Sequence, residues 1–304
     1  MLTPEQRLAM LDTPNWPIDV VIDSDTFNEI DDQFAISYAL HCQDKLNVKA
    51  IYAAPFLNQN SVSPADGMEK SYQEIHRLLA LMGEERPVMR GSTAYLPDEK
   101  TFVPSEAAED LCRRAMDYSP EKPLYVVGLA AITNIASALL MKPEIADRIV
   151  VVWLGGHAFE WEDNFEFNLR QDIAAGRVIY QSGAPLMIVP AQQVVSFLTT
   201  TGPELRYWLA GKKPLCEYLL HNTVDMMDAK NPGRAWSRVI WDIAGIACLI
   251  GEPRQLMRSR LMPTPLPGYD HRWQFREDTS MCRYVYYVAR DAIFTDLFTR
   301  LTKE

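Results

Sequence analysis

Carboxylates are crowded into the stretch that follows the first long apolar run of the chain. Residues 20–32 are Val-Val-Ile-Asp-Ser-Asp-Thr-Phe-Asn-Glu-Ile-Asp-Asp. Carboxylates packed together repel one another, which raises their pKa values unless a cation compensates for the charge. A hard divalent cation such as Ca²⁺ takes oxygen ligands and suits such a cluster. The stretch therefore predicts a metal site, with Asp23, Asp25, Asp31 and Asp32 as candidate carboxylates and Glu29 as a solvated turn residue.

The elements that position these residues follow from the alternation of apolar runs and amphipathic segments. Short runs rich in Val and Ile predict buried strands at Ile18–Ile22, Val48–Ala53, Leu124–Val127, Ile149–Leu154 and Leu186–Val189. The segments between them predict helices at Asp31–His41, Pro64–Met82, Glu106–Tyr118, Ile132–Met141 and Gln171–Ser182. Strand–helix alternation predicts an α/β fold with an open, mostly parallel sheet flanked by helices.

The C-terminal third has a more helical pattern. Helices are predicted at Glu204–Trp208, Cys216–Met227, Trp241–Leu249 and Arg290–Leu301, and a strand at Cys282–Val288. Three prolines and a glycine predict that Met262–Tyr269 is a loop. We find no repeat and no linker long enough to divide the chain, so a single domain is expected over residues 1–304.

Composition limits the class of protein. The 304 residues are 48% hydrophobic and 23% charged, and the net charge of −10 argues against nucleic acid, whose phosphates require basic patches. The five cysteines are scattered with no CxxC pair, which favours free thiols over a disulfide framework. No signal peptide and no apolar run long enough to span a membrane are apparent, so a cytoplasmic protein with a small-molecule ligand is expected.

Three predicted strands end in small or polar residues. They are the strand before the acidic stretch, the strand before Gly128–Asn134 and the strand before Gly155-Gly156-His157. Ligands of open parallel sheets bind beyond the carboxyl ends of the strands. These three ends are therefore expected to converge on one pocket.

Four motifs, in this order, resemble those of the inosine–uridine-preferring nucleoside hydrolases. They extend over roughly residues 17–250 and consist of Asp23-Ser24-Asp25 with Asp31-Asp32, Ala131–Ala136, Glu166-Phe167-Asn168 with Asp172, and Trp241-Asp242. The turn between Asp25 and Asp31 is longer than is usual in that family. The resemblance implies the family's α/β fold, with N-glycosidic hydrolysis of a ribonucleoside to ribose and free base, and a homodimer or homotetramer.

The resemblance also implies roles for individual residues. Ca²⁺ would be held by the carboxylates of Asp25, Asp32 and Asp242 and by the backbone carbonyl of Leu129. Asp25 would in addition be the base that activates water. Ribose hydroxyls, including the 5′-OH, would be bound by Asp31, Glu166, Asn168 and a residue after the second strand, Asn58 or Asn60.

One position departs from the usual family pattern. Many members have a histidine, a candidate proton donor to the leaving base, immediately before the late metal-binding aspartate, where this chain has Trp241. Tryptophan cannot donate a catalytic proton, but its indole can stack on a purine. The substitution therefore favours a purine nucleoside, and His157 is a further candidate proton donor.

Other interpretations remain open from the sequence. The aspartates could cap a helix, where the dipole favours carboxylates. A phosphotransferase could use an Asp-x-Asp strand end, although no later Lys-plus-acid motif is evident. The main alternative is a non-catalytic or divergent Ca²⁺- or ribose-binding protein of the same fold, which the replacement at Trp241 favours.

Overall fold

The computed structural model describes residues 2–12, 14–251, 256–276 and 279–303. The α-helices are α1 (Pro4–Met10), α2 (Asp31–Leu40), α3 (Pro64–Met82), α4 (Glu106–Arg114), α5 (Thr133–Met141), α6 (Phe167–Gln171), α7 (Ile173–Gln181), α8 (Gly202–Leu209), α9 (Pro214–Lys230), α10 (Ile243–Ile250) and α11 (Arg290–Thr302). The strands are β1 (Ile18–Ser24), β2 (Leu46–Ala53), β3 (Val88–Arg90), β4 (Leu124–Gly128), β5 (Ile149–Leu154), β6 (Leu186–Val189), β7 (Thr199–Thr200), β8 (Arg238–Val239), β9 (Met257–Pro263), β10 (Leu266–Pro267), β11 (Trp273–Gln274) and β12 (Met281–Val288).

Eight of the described strands form one sheet in the order β3-β2-β1-β4-β5-β6-β12-β9. All neighbours are parallel except β12 and β9, which are antiparallel. The predicted open, mostly parallel sheet flanked by helices is therefore confirmed. In β1, Val20 and Ile22 face one hydrophobic core and Val21 faces the other, as the two-residue period of a strand requires. The core on the first face includes side chains from α2, α3, α8, α9, α10 and α11, and the core on the second face includes α4, α5 and α7.

Local differences from the sequence prediction have physical causes. The helix predicted at Gln171–Ser182 is divided at Asp172, because the Asp172 carboxylate accepts from the N–H of Ala175 and caps α7. The loop predicted over Met262–Tyr269 is wrong in part, since β9 continues to Pro263 and Leu266–Pro267 pairs with Trp273–Gln274. β9 lies at the edge of the sheet, where proline is tolerated. Within the described ranges, no helix is both long enough and apolar enough to cross a bilayer.

Asn134 forms hydrogen bonds with the carboxyl ends of the neighbouring strands β1 and β2. Its amide nitrogen donates to Asp23 Oδ1 at 2.7 Å and to the Ala53 carbonyl at 3.3 Å. Its amide oxygen accepts from the backbone N–H of Ser92 at 2.7 Å. Asn134 is fully buried, so these hydrogen bonds form away from solvent. The side chain thereby fixes the strand end from which the acidic stretch continues.

We expect Asn134→Ala to lower the free energy of unfolding by about 3 kcal/mol, because it leaves buried polar groups without partners. The matched control is Asn47→Ala, which removes an exposed hydrogen bond to Asp19 and is expected to cost less than about 1 kcal/mol. Urea denaturation of both variants measures the difference. Equal losses in the two variants would contradict the role assigned to Asn134.

Candidate active site

Four aspartates from two parts of the chain meet at the carboxyl end of β1. Asp25 lies in the turn after β1, Asp31 and Asp32 open α2, and Asp242 directly precedes α10. Each is at most 4% exposed. One carboxylate oxygen from each of Asp31, Asp32 and Asp242 lies within 4.8 Å of the others. The fold therefore assembles a buried acidic cluster, defined here as Asp25, Asp31, Asp32 and Asp242.

The hydrogen bonds around this acidic cluster are incomplete. Ser24 Oγ donates to Asp32 Oδ1 at 2.6 Å, and the backbone N–H of Trp241 donates to Asp31 Oδ2 at 3.2 Å. Among the described residues, the Oδ2 atoms of Asp25 and Asp32 are buried without any hydrogen-bond partner. Buried carboxylate oxygens require a donor or a cation. A divalent cation with a preference for oxygen ligands fits these residues.

Burial and mutual repulsion raise the pKa values of the acidic cluster. Burial, followed by the neighbouring carboxylates, holds the pKa values of Asp25 and Asp242 well above their usual range. Burial raises the pKa of Asp31 to about 7, against the opposing charge of Arg238, and that of Asp32 to about 6. A bound cation would reverse this effect, because it favours the ionised form of every carboxylate.

Arg238 is the cation that the protein itself supplies to the acidic cluster. Its guanidinium pairs with Glu29 and lies 3.6 Å from Asp31 Oδ1. Glu29, which was expected to be a solvated turn residue, lies in the turn and is partly exposed, and in addition it is bound to Arg238. The pairing joins residues 209 positions apart, so no local sequence signal indicates it.

The carbonyl of Leu129 faces the same site. It accepts a hydrogen bond from Asn168 Nδ2 at 3.0 Å, and the same nitrogen donates to the Leu154 carbonyl at 3.0 Å. Asn168 thus joins the residue after β4 to the last residue of β5. A carbonyl oxygen has two lone pairs, so that of Leu129 keeps one acceptor position besides this hydrogen bond.

Glu166 is tied to the backbone around it. Its carboxylate accepts from the N–H groups of Asn168, Leu169 and Gly156, each at 2.9 Å, and so caps α6. Burial nonetheless raises the pKa of this carboxyl group, against the lowering effect of the three donors. Each oxygen keeps acceptor capacity toward a ligand. Glu166 is therefore fixed in orientation before any ligand arrives.

A cavity of about 540 Å³ opens above these groups, a size typical of small-molecule sites. The predicted site residues line it, except the fully buried Asp23 and Asp32 and the alternative ribose contact Asn60. The lining residues are Asp25, Asn28, Glu29, Asp31, Asn58, Gln59, Leu129, Leu154, His157, Phe165, Glu166, Phe167, Asn168, Arg170, Ala191, Gln192, Trp241 and Asp242. The structure therefore brings the predicted residues together in one place.

The long turn between Asp25 and Asp31 is held by the loop after β2. Asn58 Nδ2 donates to Asn28 Oδ1 at 2.5 Å, and Asn60 Nδ2 donates to the Asn28 carbonyl at 2.8 Å. Asn58 lines the cavity, but its amide nitrogen already donates to Asn28. Asn28 itself lines the cavity, and sequence reasoning missed it because the family pattern has no counterpart in this turn.

Two candidate groups for contact with a base also line the cavity. Trp241 is half-buried there, next to the metal-binding candidate Asp242. His157 Nδ1 accepts from the N–H of Gln192 at 3.4 Å, and burial lowers the pKa of the imidazole. The sequence missed Gln192, which follows β6 without a motif, and Arg170, which occupies a variable position within the motif from Glu166 to Asp172.

The comparison with family models gives one match. The model described as "Inosine-uridine preferring nucleoside hydrolase" matches residues 20–265. This range includes every predicted site residue.

Curated relatives match over a shorter stretch. The pyrimidine-specific ribonucleoside hydrolase RihA of Escherichia coli O1:K1 / APEC is 28% identical over 183 residues, which is 52% of this chain and 56% of the relative. The RihA of Citrobacter koseri is 27% identical over 173 residues, 48% of this chain and 55% of the relative. The chain spans about half the length of the curated relatives it matches.

Solved structures resemble the chain over nearly all of its length. An inosine-guanosine nucleoside hydrolase has a TM-score of 0.76 at 19% identity, covering 94% of this chain and 99% of its own. A purine-preferring ribonucleoside hydrolase from Gardnerella vaginalis has a TM-score of 0.74 at 19% identity, covering 93% and 98%. The type III effector protein XopQ, in complex with adenosine diphosphate ribose, has a TM-score of 0.72 at 18% identity, covering 99% of each chain. At these identities the likeness establishes the fold.

The raised carboxyl pKa values predict that the metal-free protein becomes less stable as the pH rises. A carboxyl such as Asp31, with a pKa of 3.8 when unperturbed and about 7 when folded, contributes stability below the lower value. That contribution is lost as the pH rises through the higher value. We expect the melting temperature in EDTA to fall by about 5 °C between about pH 5 and about pH 8. Added Ca²⁺ should restore it, with the larger gain at the higher pH.

The control for this pH dependence is Asp242→Asn, which removes one carboxylate from the acidic cluster. It should raise the melting temperature in EDTA at the higher pH and abolish most of the gain from Ca²⁺. A melting temperature in EDTA that does not fall with pH would contradict the account. The account would also be contradicted if Ca²⁺ raised the melting temperature of Asp242→Asn as much as that of the parent protein.

Proposed function

Because the chain belongs to the inosine-uridine preferring nucleoside hydrolase family, we propose that it hydrolyses the N-glycosidic bond of a ribonucleoside to ribose and free base, with Ca²⁺ bound. The observation that carries this proposal is the set of buried carboxylates with unpaired oxygens at a cavity of small-molecule size. Acid-rich cavities of this kind suit both a hard cation and the hydroxyl groups of a sugar.

The proposed Ca²⁺ ligands are the carboxylates of Asp25, Asp32 and Asp242 and the carbonyl of Leu129. The unpaired Oδ2 atoms of Asp25 and Asp32 and the remaining lone pair of Leu129 support this assignment. When bound, the cation supplies positive charge that lowers the pKa of a water molecule and neutralises the carboxylates. The ligands come from the ends of β1 and β4 and the start of α10, so the fold presets their positions.

Asp25 is the proposed base of the reaction. The Asp25 carboxylate takes a proton from a water molecule, and the water oxygen bonds to C1′ of the ribose. The bond from C1′ to the base nitrogen breaks, and its electron pair leaves with the base. Asp25 gives up the proton that it took from water, and a proton from solvent neutralises the departed base, so that the carboxylate is regenerated. The ribose carries oxocarbenium character while that bond breaks. Carboxylates near the sugar, Asp31 and Glu166 among them, stabilise that positive charge.

The ribose hydroxyls are proposed to bind to Asp31, Asn168 and Glu166, with a contribution from the pair Asn58 and Asn28. Asp31 is held by the N–H of Trp241 and by Arg238, so its carboxylate is oriented before the substrate enters. Asn168 and Glu166 are fixed by the backbone contacts described above. Rigid acceptors of this kind reduce the entropy lost when the sugar binds.

We propose a purine as the preferred base. Trp241 lines the cavity with an aromatic face and carries no proton to donate, so its contribution is stacking on a large ring. His157 also lines the cavity, but burial lowers the pKa of its imidazole, which disfavours the protonated form that a proton donor to the leaving base requires. The curated relatives are named pyrimidine-specific, whereas two structural neighbours are named for purine nucleosides. The base preference is thus a property to measure on this chain.

A second candidate function is binding of a ribosyl ligand without hydrolysis. It is favoured by Trp241 in place of the usual histidine and by the likeness to XopQ, whose structure contains adenosine diphosphate ribose. A phosphotransferase is disfavoured, because the Oδ1 atom of Asp23 is bound by Asn134 and the side chain is fully buried. An assay of base release distinguishes nucleoside hydrolysis from binding of a ribosyl ligand without hydrolysis.

We expect Asp25→Asn to lower kcat/KM for base release from inosine about a thousandfold, since it removes the proton acceptor. Asp19→Asn, at the opposite end of the same strand, is the matched control and should retain the activity of the parent protein. EDTA should abolish release and Ca²⁺ should restore it. If the parent releases no base from any nucleoside, the hydrolase proposal fails, and if Asp25→Asn remains fully active, the base is misassigned.

For the base preference, we expect Trp241→Ala to lose about tenfold more activity on inosine than on uridine, because a purine offers more ring surface for stacking. Trp241→Phe should keep most of the activity on inosine. The half-buried Trp236 lies outside the cavity, so Trp236→Ala controls for the loss of an indole. Equal losses on the two nucleosides after Trp241→Ala would rule out purine stacking.

A further inference from the structure

The long turn between Asp25 and Asp31 contributes an amide side chain to the cavity. Asn28 lies in the middle of this turn, is 8% exposed and lines the cavity. Its backbone N–H donates to the Asp25 carbonyl at 2.7 Å, so its side chain begins directly beside the acidic cluster. The turn therefore adds to the site a polar group that the family pattern does not contain.

Two successive hydrogen bonds determine the orientation of the Asn28 amide. The backbone N–H of Asn60 donates to Asn58 Oδ1 at 2.8 Å, which leaves the amide nitrogen of Asn58 to face Asn28. Asn58 Nδ2 donates to Asn28 Oδ1, so this oxygen is the acceptor of the pair. Because a backbone N–H can only donate, the contact with Asn60 fixes the orientation of both amides. The amide nitrogen of Asn28 is consequently turned away from Asn58.

The amide nitrogen of Asn28 is an unused donor. The other polar groups of this residue are all bound, since Oδ1 and the carbonyl accept from the loop after β2 and the backbone N–H donates to Asp25. Nδ2 itself makes no hydrogen bond to any residue in the described ranges. A polar side chain that lines a cavity and keeps one donor free can offer that donor to a ligand.

The groups along the chain on either side of this donor are hydrogen-bond acceptors. Asp25, Glu29 and Asp31 belong to the same turn or to its two ends, and all three line the cavity. An ionised carboxylate accepts the proton of a hydroxyl but offers nothing to the lone pairs of the hydroxyl oxygen. Those lone pairs need a donor or a cation. Asn28 Nδ2 supplies such a donor in the same turn as the acceptor Asp31.

We propose that Asn28 is a specificity-determining residue, whose Nδ2 donates to the ribose hydroxyl, at C2′ or C3′, that gives its proton to Asp31. The inference rests on the proposed function and separates the roles of two residues, because Asn58 orients the amide and Asn28 contacts the sugar. A sugar without this hydroxyl leaves a donor and an acceptor unpaired in a buried site, which weakens binding. The site therefore selects a ribonucleoside over the corresponding deoxynucleoside.

The test is equilibrium titration of the full chain, in the presence of Ca²⁺, with methyl β-D-ribofuranoside and with its 2-deoxy and 3-deoxy counterparts. The methyl group keeps the sugar in the furanose form, and no base is present to be released. The parent protein should bind the ribofuranoside at least about tenfold more tightly than the deoxy sugar that lacks the hydroxyl contacted by Asn28. Asn28→Ala should weaken binding of the ribofuranoside about fivefold and leave the affinity for that deoxy sugar unchanged. The deoxy sugar with unchanged affinity identifies the carbon atom that carries the hydroxyl.

A second variant, Asn58→Asp, tests the orientation of the amide. The N–H of Asn60 still binds one carboxylate oxygen, and the other oxygen faces Asn28, whose amide reverses in order to donate to it. The preference for the ribofuranoside should fall as in Asn28→Ala, although Asn28 is intact. The matched control is Ser61→Ala, because Ser61 is buried in the same loop, accepts from the Asn58 backbone N–H at 3.3 Å and lies outside the cavity. It should keep the preference of the parent protein.

An undiminished preference in Asn28→Ala would overturn the inference, as would an equal loss of affinity for all three sugars. A loss of preference in Ser61→Ala as large as in Asn28→Ala would also overturn it, since the turn would then act only as a support. An assay of base release from inosine keeps this inference distinct from the hydrolase proposal. An Asn28-dependent preference without base release would leave the inference standing and refute the hydrolase proposal. Base release together with a preference that does not depend on Asn28 would do the reverse.

Discussion

The candidate active site depends on the burial of several carboxylates in one small volume at the carboxyl ends of the sheet strands. Asp25, Asp31, Asp32 and Asp242 are almost inaccessible to solvent, and each ionised carboxylate removed from water without a partner costs several kcal/mol. Within the described residues, the protein offers them a hydroxyl from Ser24, one backbone N–H and the guanidinium of Arg238. These groups leave two buried oxygens unpaired. Such an arrangement is unfavourable for the isolated chain and favourable once a cation is present.

The parallel sheet is what makes this constraint possible. Adjacent parallel strands present their carboxyl ends at one edge, so β1, β4 and β5 bring distant segments to one cavity. The amides of Asn134 and Asn168 then bind these strand ends to one another. Because both side chains are buried and their amide nitrogens are hydrogen-bonded to the strand ends, the ends form a rigid frame. The ligand groups are consequently positioned by the sheet rather than by mobile loops.

The sequence predicted what depends on local pattern and missed what depends on distant pairing. The strands were predictable because parallel strands buried on both faces are nearly continuous apolar runs, as in Val20–Ile22. The carboxylates of the first turn were predictable because they are neighbours in sequence. The pairing of Glu29 with Arg238 was not, since only the fold brings these residues together. Likewise, the prolines after Met262 indicated a loop, although a proline at the edge of a sheet can end a strand.

We propose that the acidic cluster binds one divalent cation. The most direct measurement is a calorimetric titration of the metal-free protein with Ca²⁺. The account predicts one ion per chain in the parent protein, binding weakened by about a hundredfold or more in Asp32→Asn, and unchanged binding in Asp66→Asn, whose carboxylate lies at the surface. Absence of Ca²⁺ binding in the parent, or equal affinity in Asp32→Asn, would contradict it.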